Sequence, residues 1–588
     1  MTPRRSVART GIAVAVAFAA TVAIALAPVL GAAAASESGS ATTRGAATTR
    51  STAAGAPLSL AVLVPLTVRP TSTGLIDSAT LAADTAPLGV LSRQLDAVYD
   101  TPAVIGIDPM IIASIQVLGS SAPASATAWL ERLRSASNET FALAYADADL
   151  ASLAQANALE LANPLGFDFA IDPGHFGPAS TPSPTPTPTA SASDASIPTP
   201  NPTAAAGPRP LPASAADVLA WSYTLSNIAW PAEDTVATSD LAPLSVAGYQ
   251  DVVLSSSNVS GSTSGSVDLD KMSGIVSDSG ISSLVRQAAS ATTPAVAQEA
   301  VGRLNSALAG MEAVSPGRTV VATLDRQWSL TGTNLDTLFA DLAAQSSVLQ
   351  VGLSAVLAGA HQDAKVVDEA EDSSRNNAVR SLLNANAAET AFASAAVNPT
   401  LVLEPRQLQL LSVLGVTWVH GSGDWGSAVS TFLTASSTLR AAVHIVTGSN
   451  LFVGAGRTNI PVTVSNALTV PVTVYVTVSS PSSILQVQRQ GVALTVEPGS
   501  SNKAAIPVQA LTNGTVTTTV TISSKTGFLL GSADAVEVDL QPGWESVGTT
   551  VIVVLLVLVF GGGIARNILK RRRKQPETAG TPGEVDGD

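Results

Sequence analysis

The stretch LSLAVLVP, residues 58–65, decides the fold of this 588-residue chain. It is an unbroken apolar run of strand length, which is typical of parallel strands buried on both faces. Similar runs recur downstream and alternate with Ala- and Leu-rich stretches at helical spacing, a pattern that predicts strand and helix units around a parallel sheet. The predicted strands are 58–65, 103–107, 141–145, 167–171, 227–230, 251–254, 319–324, 400–403 and 416–419.

Apolar residues at helical spacing predict amphipathic helices between these strands. Three helical faces are formed by Trp129, Leu130 and Leu133, by Ile281, Leu284 and Val285, and by Leu335, Leu338, Phe339 and Leu342. A charged helix is predicted over about 366–396, with Arg375 and Arg380 on a solvated face. Residues 57–442 are therefore predicted to form one α/β domain, a distorted (β/α) barrel. A Pro-, Thr- and Ser-rich segment at 177–212 is predicted to be a disordered insertion, with or without O-linked sugars.

From residue 443 the apolar spacing changes to a period of two. Seven short runs alternate apolar with polar residues between turn signals: 459–464, 470–478, 484–488, 492–496, 504–508, 515–523 and 535–540. This pattern predicts an all-β immunoglobulin-like sandwich over residues 443–543. The chain has no cysteine, so this sandwich lacks the disulfide of antibody domains.

Both ends of the chain carry targeting signals. Residues 1–35 begin with arginines, continue with an apolar run and finish with small residues, which predicts a signal peptide. A disordered spacer is predicted over 36–56. The uncharged run 546–565 predicts one transmembrane helix, and the tail at 566–588 is predicted to be cytoplasmic because basic residues flank the run. The flank consists of Arg566, Lys570, Arg571, Arg572, Arg573 and Lys574.

Composition narrows the location and the partners. Since the ends place nearly all of the chain outside the membrane, we expect an extracellular N-terminal ectodomain on a single-pass protein of the cell membrane. Aromatic residues are 4% and charged residues 13%, and Ala, Val, Thr and Ser abound, which is typical of high-GC bacteria and predicts a bacterial envelope. The net charge of −14 disfavours nucleic acid as a partner and favours a neutral, cationic or protein partner.

Carboxylates follow several of the predicted strands, where barrel proteins place their functional residues. Asp147 and Asp149 lie in YADAD, and Glu233 and Asp234 lie in WPAED. These four are the catalytic candidates, because a pair of carboxylates can serve glycoside chemistry. Asp108 in GIDP is a binding candidate. The alternative for each acid is a helix N-cap or a turn residue.

Two tryptophans are further binding candidates. Trp230 and Trp425 can stack on a sugar ring, although core packing is the alternative for both. The four histidines, His175, His361, His420 and His444, are scattered and form no helical metal pair, so no metal site is predicted. The glycines of GSGDWG, residues 421–426, are a weak loop signal that a turn explains better than a phosphate-binding loop. The sequence has no Walker or nucleophile-elbow motif and no thiol, and no cofactor is expected.

The order of these features resembles a known family. YADADL, WPAED and the stretch from VTGSN to NIPVTVSN look like uncharacterised actinobacterial membrane proteins encoded beside the lipid II flippase, with one C-terminal span. The resemblance implies a first domain similar to the barrels of polysaccharide deacetylases and related glycosidases. Those deacetylases use an Asp with an HxxxH metal motif, and this chain has no such motif.

Two functions from different classes are expected. The preferred one is a non-catalytic envelope factor that binds glycan or protein in cell-wall precursor export or assembly, with the flippase or other wall-synthesis proteins as partners. The alternative is a metal-independent glycan hydrolase that uses Asp147 or Asp149 with Glu233 or Asp234. A weaker third hypothesis treats the ectodomain as a passive spacer.

Overall fold

The computed structural model describes residues 56–177, 209–261, 264–326, 328, 335–368, 373–420, 423–446, 451–454, 456–541 and 544–572. All of these belong to one compact unit, Gly55–Asp588. The predicted signal peptide, nearly all of the predicted spacer, most of the predicted 177–212 insertion and the end of the predicted tail lie outside the described residues.

The first part of the chain builds a ten-stranded sheet and a small two-stranded sheet. Their strands are β1 (Leu58–Leu66), β2 (Val104–Ile107), β3 (Thr140–Ala142), β4 (Ile228–Ala229), β5 (Asp251–Ser255), β6 (Val259–Ser260), β7 (Ser266–Asp268), β8 (Ser273–Ser277), β9 (Thr319–Thr323), β10 (Val348–Gln350), β11 (Gln362–Asp363) and β12 (Lys365–Val366).

Seven of these strands lie side by side and parallel, in the order β4-β5-β8-β9-β1-β2-β3. The strands β4 and β3 are at opposite ends of this order. The sheet is nevertheless curled so far that the segment just before β4 contacts β3. There the backbone amides of Thr224 and Leu225 donate to the carbonyl of Thr140 at 3.1 and 2.9 Å. The result is a curled half-barrel, which agrees with the predicted barrel only in outline.

The unbroken apolar composition of β1 follows from its burial on two sides. Leu60 and Val62 point into a large core shared with the surrounding helices. Ala61 and Leu63 point into a smaller core inside the curl, which also contains Phe141. Successive side chains of a strand alternate between faces, so a strand with a core on each face has to be apolar throughout.

Helices surround the curled sheet and continue beyond it. They are α1 (Ser78–Asp84), α2 (Val90–Val98), α3 (Pro109–Gln116), α4 (Ala124–Ser135), α5 (Leu150–Gln155), α6 (Ala215–Val218), α7 (Leu241–Val246), α8 (Ser279–Ala289), α9 (Pro294–Val314), α10 (Leu335–Ala343), α11 (Leu353–Leu357), α12 (Ser373–Ala393), α13 (Thr400–Val413), α14 (Thr417–His420), α15 (Trp425–Ala441) and α16 (Trp544–Arg572). The predicted helical faces of α4, α8 and α10 all pack on the large core.

Three predicted strands are wrong. The run 400–403 is the start of helix α13, and 416–419 overlaps the short helix α14. The run 167–171 contains only a short 3-10 turn, Asp168–Ala170. A run of four or five mostly apolar residues is equally compatible with a buried strand and with one buried turn of helix, so spacing alone could not separate them.

The described residues between 443 and 541 form a two-sheet β structure. Its strands are β13 (Val443–Val446), β14 (Leu451–Val453), β15 (Arg457–Asn466), β16 (Val472–Ser479), β17 (Leu485–Val487), β18 (Val492–Val496), β19 (Ser500–Ala510), β20 (Gly514–Ser523) and β21 (Asp534–Leu540). The sheet order is β13-β15-β19-β17 in one layer and β14-β21-β20-β16-β18 in the other. Val464 and Ile506 from the first sheet and Val474 and Val520 from the second share one core. The immunoglobulin-like connectivity of this sandwich stays a prediction.

Helix α16 follows the last strand. Its segment Gly548–Arg572 has 25 residues and contains an 18-residue window with a mean hydropathy of 2.4, so it is long and apolar enough to cross a membrane. The predicted span 546–565 falls inside α16, as do Arg566, Lys570, Arg571 and Arg572 of the basic flank. Arg573 and Lys574 lie outside the described residues.

Candidate functional site

The carboxyl ends of the parallel strands meet at one edge of the curled sheet, and a cavity of about 230 Å³ lies there. The segments that follow β4 and β9 supply part of its walls, and the rest comes from the ends of β5, β8 and β9, from α8 and from residues 416–417. The lining includes Trp230, Glu233, Ser255, Ser277, Arg286, Thr323, Asp325, Arg326, Trp328 and Thr417. Strand ends are where an α/β sheet leaves backbone and side chains free to contact a ligand.

Arg326 connects two of the candidate segments. Its Nε lies 2.9 Å from Oδ2 of Asp147, and its Nη2 donates to the carbonyl of Trp230 at 2.8 Å. Its guanidinium also lies over the Trp230 ring, 4.2 Å from the ring centre. The side chains of Arg326 and Asp147 are only 7% and 5% exposed. Burial raises the pKa of Asp147, and the nearby guanidinium opposes that rise.

The backbone at Asp147 is strained. Ala146 and Asp147 have φ angles of 55° and 49°, in the left-handed region that residues with a Cβ seldom adopt. Such strain persists only where surrounding contacts hold it, and it is concentrated at functional sites. Here the Asp147 carbonyl accepts from the amide of Val416 at 2.8 Å, and Arg326 holds the carboxylate.

Asp149 is fully buried and has four donors. Its Oδ1 accepts from the amides of Ala151 and Ala232 at 3.2 and 3.3 Å, and its Oδ2 accepts from the Ser152 hydroxyl at 2.5 Å. The guanidinium of Arg375 lies 3.3 Å from Oδ2. Asp149 is thus both the N-cap of α5 and the link between YADAD and WPAED, and no oxygen of it lines the cavity.

The two acids of WPAED differ in their environments. Glu233 lines the cavity and forms a half-buried ion pair with Arg286, whose Nη2 lies 2.9 Å from Oε2. Arg286 also donates from Nε to the carbonyl of Thr323 at 3.0 Å. Asp234 is exposed and accepts from the hydroxyl of Ser257 at 2.7 Å.

Asp108 is a buried N-cap and does not line the cavity. Its Oδ1 accepts from the amide of Met110 at the start of α3 at 2.9 Å. Burial raises the pKa of Asp108 to about 8, and the charge of Asp147 adds to the rise. Asp108 is therefore a buried carboxyl group outside the cavity wall, and burial favours its protonated form.

The two candidate tryptophans occupy different places. Trp230 lines the cavity, but it is 8% exposed and one ring face is covered by Arg326. Trp425 is half-buried, donates from Nε1 to the carbonyl of Val413 at 2.8 Å and stacks on Arg375. Only Trp230 belongs to the wall of the cavity.

The structure brings together Asp147, Asp149, Trp230 and Glu233, but it also adds residues that the sequence did not indicate. These are Arg286 and Arg326, which line the cavity, and Arg375, which was predicted to lie on a solvated face. Arg375 is instead 11% exposed and paired with Asp149. One signal existed in the sequence: Arg326 directly follows Asp325 at the end of β9, in TLDR. Within the described ranges, no group of three or more His, Asp or Glu is arranged to hold a metal ion.

Comparisons with known proteins give one family match. A model of a family of unknown function (DUF6049) matches residues 19–582. No curated protein matches the chain.

Three of the solved structures that match this chain have low TM-scores. The α-amylase AmyC from Thermotoga maritima is 9% identical, with 65% of this chain and 92% of that chain covered and a TM-score of 0.40. Trypsin-activated α-2-macroglobulin from Escherichia coli is 20% identical over 17% of this chain, with a TM-score of 0.15, and the match spans only 7% of its length. The E. coli chaperone DraB is 12% identical, with 17% and 55% covered and a TM-score of 0.14. TM-scores this low establish no shared fold, and we infer nothing from them.

Proposed function

This chain belongs to that family of unknown function, and from its own side chains we propose that it is a membrane-anchored envelope protein that binds glycan without cleaving it. The observation that carries the proposal is the cavity at the strand ends, where two arginine–carboxylate pairs and a tryptophan meet. The resemblance found in the sequence supports a place in cell-wall precursor export or assembly.

The chemistry of the cavity wall suits a sugar. A sugar hydroxyl both donates and accepts, and the Arg286–Glu233 pair offers N–H donors beside carboxylate acceptors. The hydroxyls of Ser255, Ser277 and Thr417 belong to the same wall, and Ser277, whose Oγ donates to the carbonyl of Leu254 at 3.1 Å, adds an acceptor. Trp230 supplies an apolar wall, as is usual in ligand pockets that combine apolar surface with a few placed polar groups.

The pairing of the acids favours binding over hydrolysis. A glycosidase needs one carboxyl group held protonated and one free carboxylate flanking the scissile bond. Of the four nominated acids only Glu233 lines the cavity, and it is paired with Arg286. One observation keeps the hydrolase as a second candidate: Asp325 lines the same cavity as Glu233.

Titration of the full-length protein in lipid nanodiscs with a neutral disaccharide of N-acetylhexosamines tests the proposal. We expect saturable binding by the wild type. Arg286→Gln and Glu233→Gln should each weaken it about tenfold, because each change removes a charged hydrogen-bonding group that is proposed to contact the sugar. Arg132→Gln is the matched control, since Arg132 of α4 forms an exposed pair with Asp96 of α2 and does not line the first cavity. Equal affinity of all four proteins, or no binding by the wild type, would refute binding in this cavity. Release of reducing ends by the wild type, abolished in Glu233→Gln, would establish the hydrolase instead.

The rest of the molecule is proposed to position this site outside the cell. Residues 1–35 act as a cleaved signal peptide, and α16 anchors the chain with its basic end in the cytoplasm. The two-sheet structure then serves as an immunoglobulin-like stalk between the anchor and the curled sheet. The described helix supports the anchor by its length and hydropathy, and the basic flank supports the orientation.

A further inference from the structure

A second cavity, of about 450 Å³, adjoins the first one. The two cavities share Arg326 and Thr417 as wall residues, so both lie at the same edge of the curled sheet. The remaining walls come from the segment after β1, which includes Thr67 and Arg69, and from helices α1 and α2. A ligand that fills the first cavity therefore has room to extend into the second.

The second cavity differs from the first in its charge. Arg69, Arg93 and Arg326 line it, against one lining acid, Asp84. Arg326 is already neutralised by Asp147. Arg69 is exposed, and the Arg93 guanidinium donates to the carbonyl of Leu88, so in the part of the chain that the structure describes neither is bonded to a carboxylate.

The state of Asp84 agrees with this charge distribution. Asp84 lines the same cavity as Arg69 and Arg93. Burial raises the pKa of Asp84, and the positive charges of the two arginines oppose the rise. One acid is thus shared between two arginines, and the cavity retains an excess of positive charge. Val90, the first residue of α2, also lines the cavity, and no side chain caps the amides of that helix. Such free amides carry partial positive charge and add to the effect of the arginines.

We propose that the second cavity binds the anionic group, a phosphate or a carboxylate, of a glycan whose sugar ring occupies the first cavity. The inference rests on the proposed glycan function and narrows it to acidic glycans. A guanidinium presents a planar fork of N–H donors that matches the paired oxygens of phosphate and carboxylate groups. The net charge of −14 disfavours polyanions in general. A local basic cavity therefore selects a small ligand with a single acidic group.

A matched set of ligands tests the inference on the full-length protein in nanodiscs. The set contains N-acetylglucosamine methyl glycoside, the 1-phosphate of the same sugar, the corresponding hexuronic acid and inorganic phosphate. We expect at least one of the two acidic sugars to bind about tenfold more tightly than the neutral glycoside, with an affinity that falls as salt rises. Arg69→Gln and Arg93→Gln should remove most of that advantage and leave the neutral glycoside unaffected. Arg93→Lys should retain part of it, and Arg132→Gln is the control for loss of a surface charge.

The outcomes separate this inference from the proposed function. Neutral and acidic sugars that bind equally well, in wild type and variants alike, would overturn the anionic subsite and leave glycan binding intact. Failure of every sugar to bind would overturn both. Binding of inorganic phosphate that Arg69→Gln and Arg93→Gln abolish, without binding of any sugar, would support the basic cavity and refute the glycan. The 1-phosphate and the uronic acid, compared with each other, identify which acidic group the cavity prefers.

Discussion

At the scale of single residues, the site is defined by how arginines pair with acids that are distant in the sequence. Arg326 contacts Asp147 across 179 positions, and Arg375 contacts Asp149 across 226. Strand-end spacing could predict that YADAD and WPAED share one edge, because parallel strands end together. It could not predict which arginine would neutralise which carboxylate, since that depends on how loops and helices return to the edge.

The N-cap alternative applies to some of the nominated acids and not to others. Asp108 and Asp149 cap α3 and α5, as an Asp that precedes a helix often does. Glu233 instead reaches the cavity. All three acids follow a predicted strand in the sequence. Asp108 and Asp149 are buried and cap helices, whereas Glu233 is half-buried and lines the cavity.

Asp108 gives a prediction about pH. Burial raises its pKa from 3.8 to about 8, so between these values the folded protein binds a proton that the unfolded chain releases. The free energy of unfolding should therefore fall as pH rises through this window. In Asp108→Asn the amide oxygen can still accept from Met110, and nothing titrates.

Thermal unfolding of the full chain in detergent, followed by tryptophan fluorescence at about pH 5 and about pH 8, measures this effect. We expect the midpoint of the wild type to fall by several degrees more than that of Asp108→Asn, since one unit of pKa shift corresponds to about 1.4 kcal/mol. Parallel pH profiles for the two proteins would show that Asp108 titrates normally.

At the scale of elements, the length and the surroundings of each apolar run decided whether the strand predicted from it was correct. The run at 58–65 was predicted well because nine residues, Leu58–Leu66, are apolar or small and lie between two cores. The alternation after residue 443 was equally informative, because a period of two places every second residue of β15, β16 and β20 in one core.

The three wrong strand predictions are short runs that belong to helices or to a 3-10 turn. Residues 400–403 belong to α13, where Arg406 is buried against Glu389 with Nη2 2.8 Å from Oε1. That buried pair is a tertiary feature, and the sequence pattern at 400–403 contains no sign of it. The strand β8, with sequence SGIVS, was missed for the converse reason: its serines and glycine resemble a loop, but its neighbours bury it.

At the scale of the whole molecule, the proposal depends on the anchor. The full chain should stay with membranes through a carbonate wash, and a chain that ends at residue 541 should be released, because α16 holds the apolar segment that lipid would cover. Protease added to intact cells should remove the ectodomain and spare the C-terminal tail. Release of the full chain by carbonate, or an ectodomain that resists protease on intact cells and is cut only after lysis, would contradict the proposed topology.

The most direct test of the central claim is to locate bound glycan on the protein. A diazirine-bearing disaccharide of N-acetylhexosamines, photolysed on the full-length protein in nanodiscs, would be mapped by peptide mass spectrometry. We predict labels in the segments 230–234 and 323–326, which contribute Trp230, Glu233 and Arg326 to the wall of the first cavity. We also predict that unlabelled disaccharide suppresses these labels. Suppressible labels confined to the β structure at 443–541, or labelling that excess disaccharide leaves unchanged, would contradict glycan binding at the strand ends.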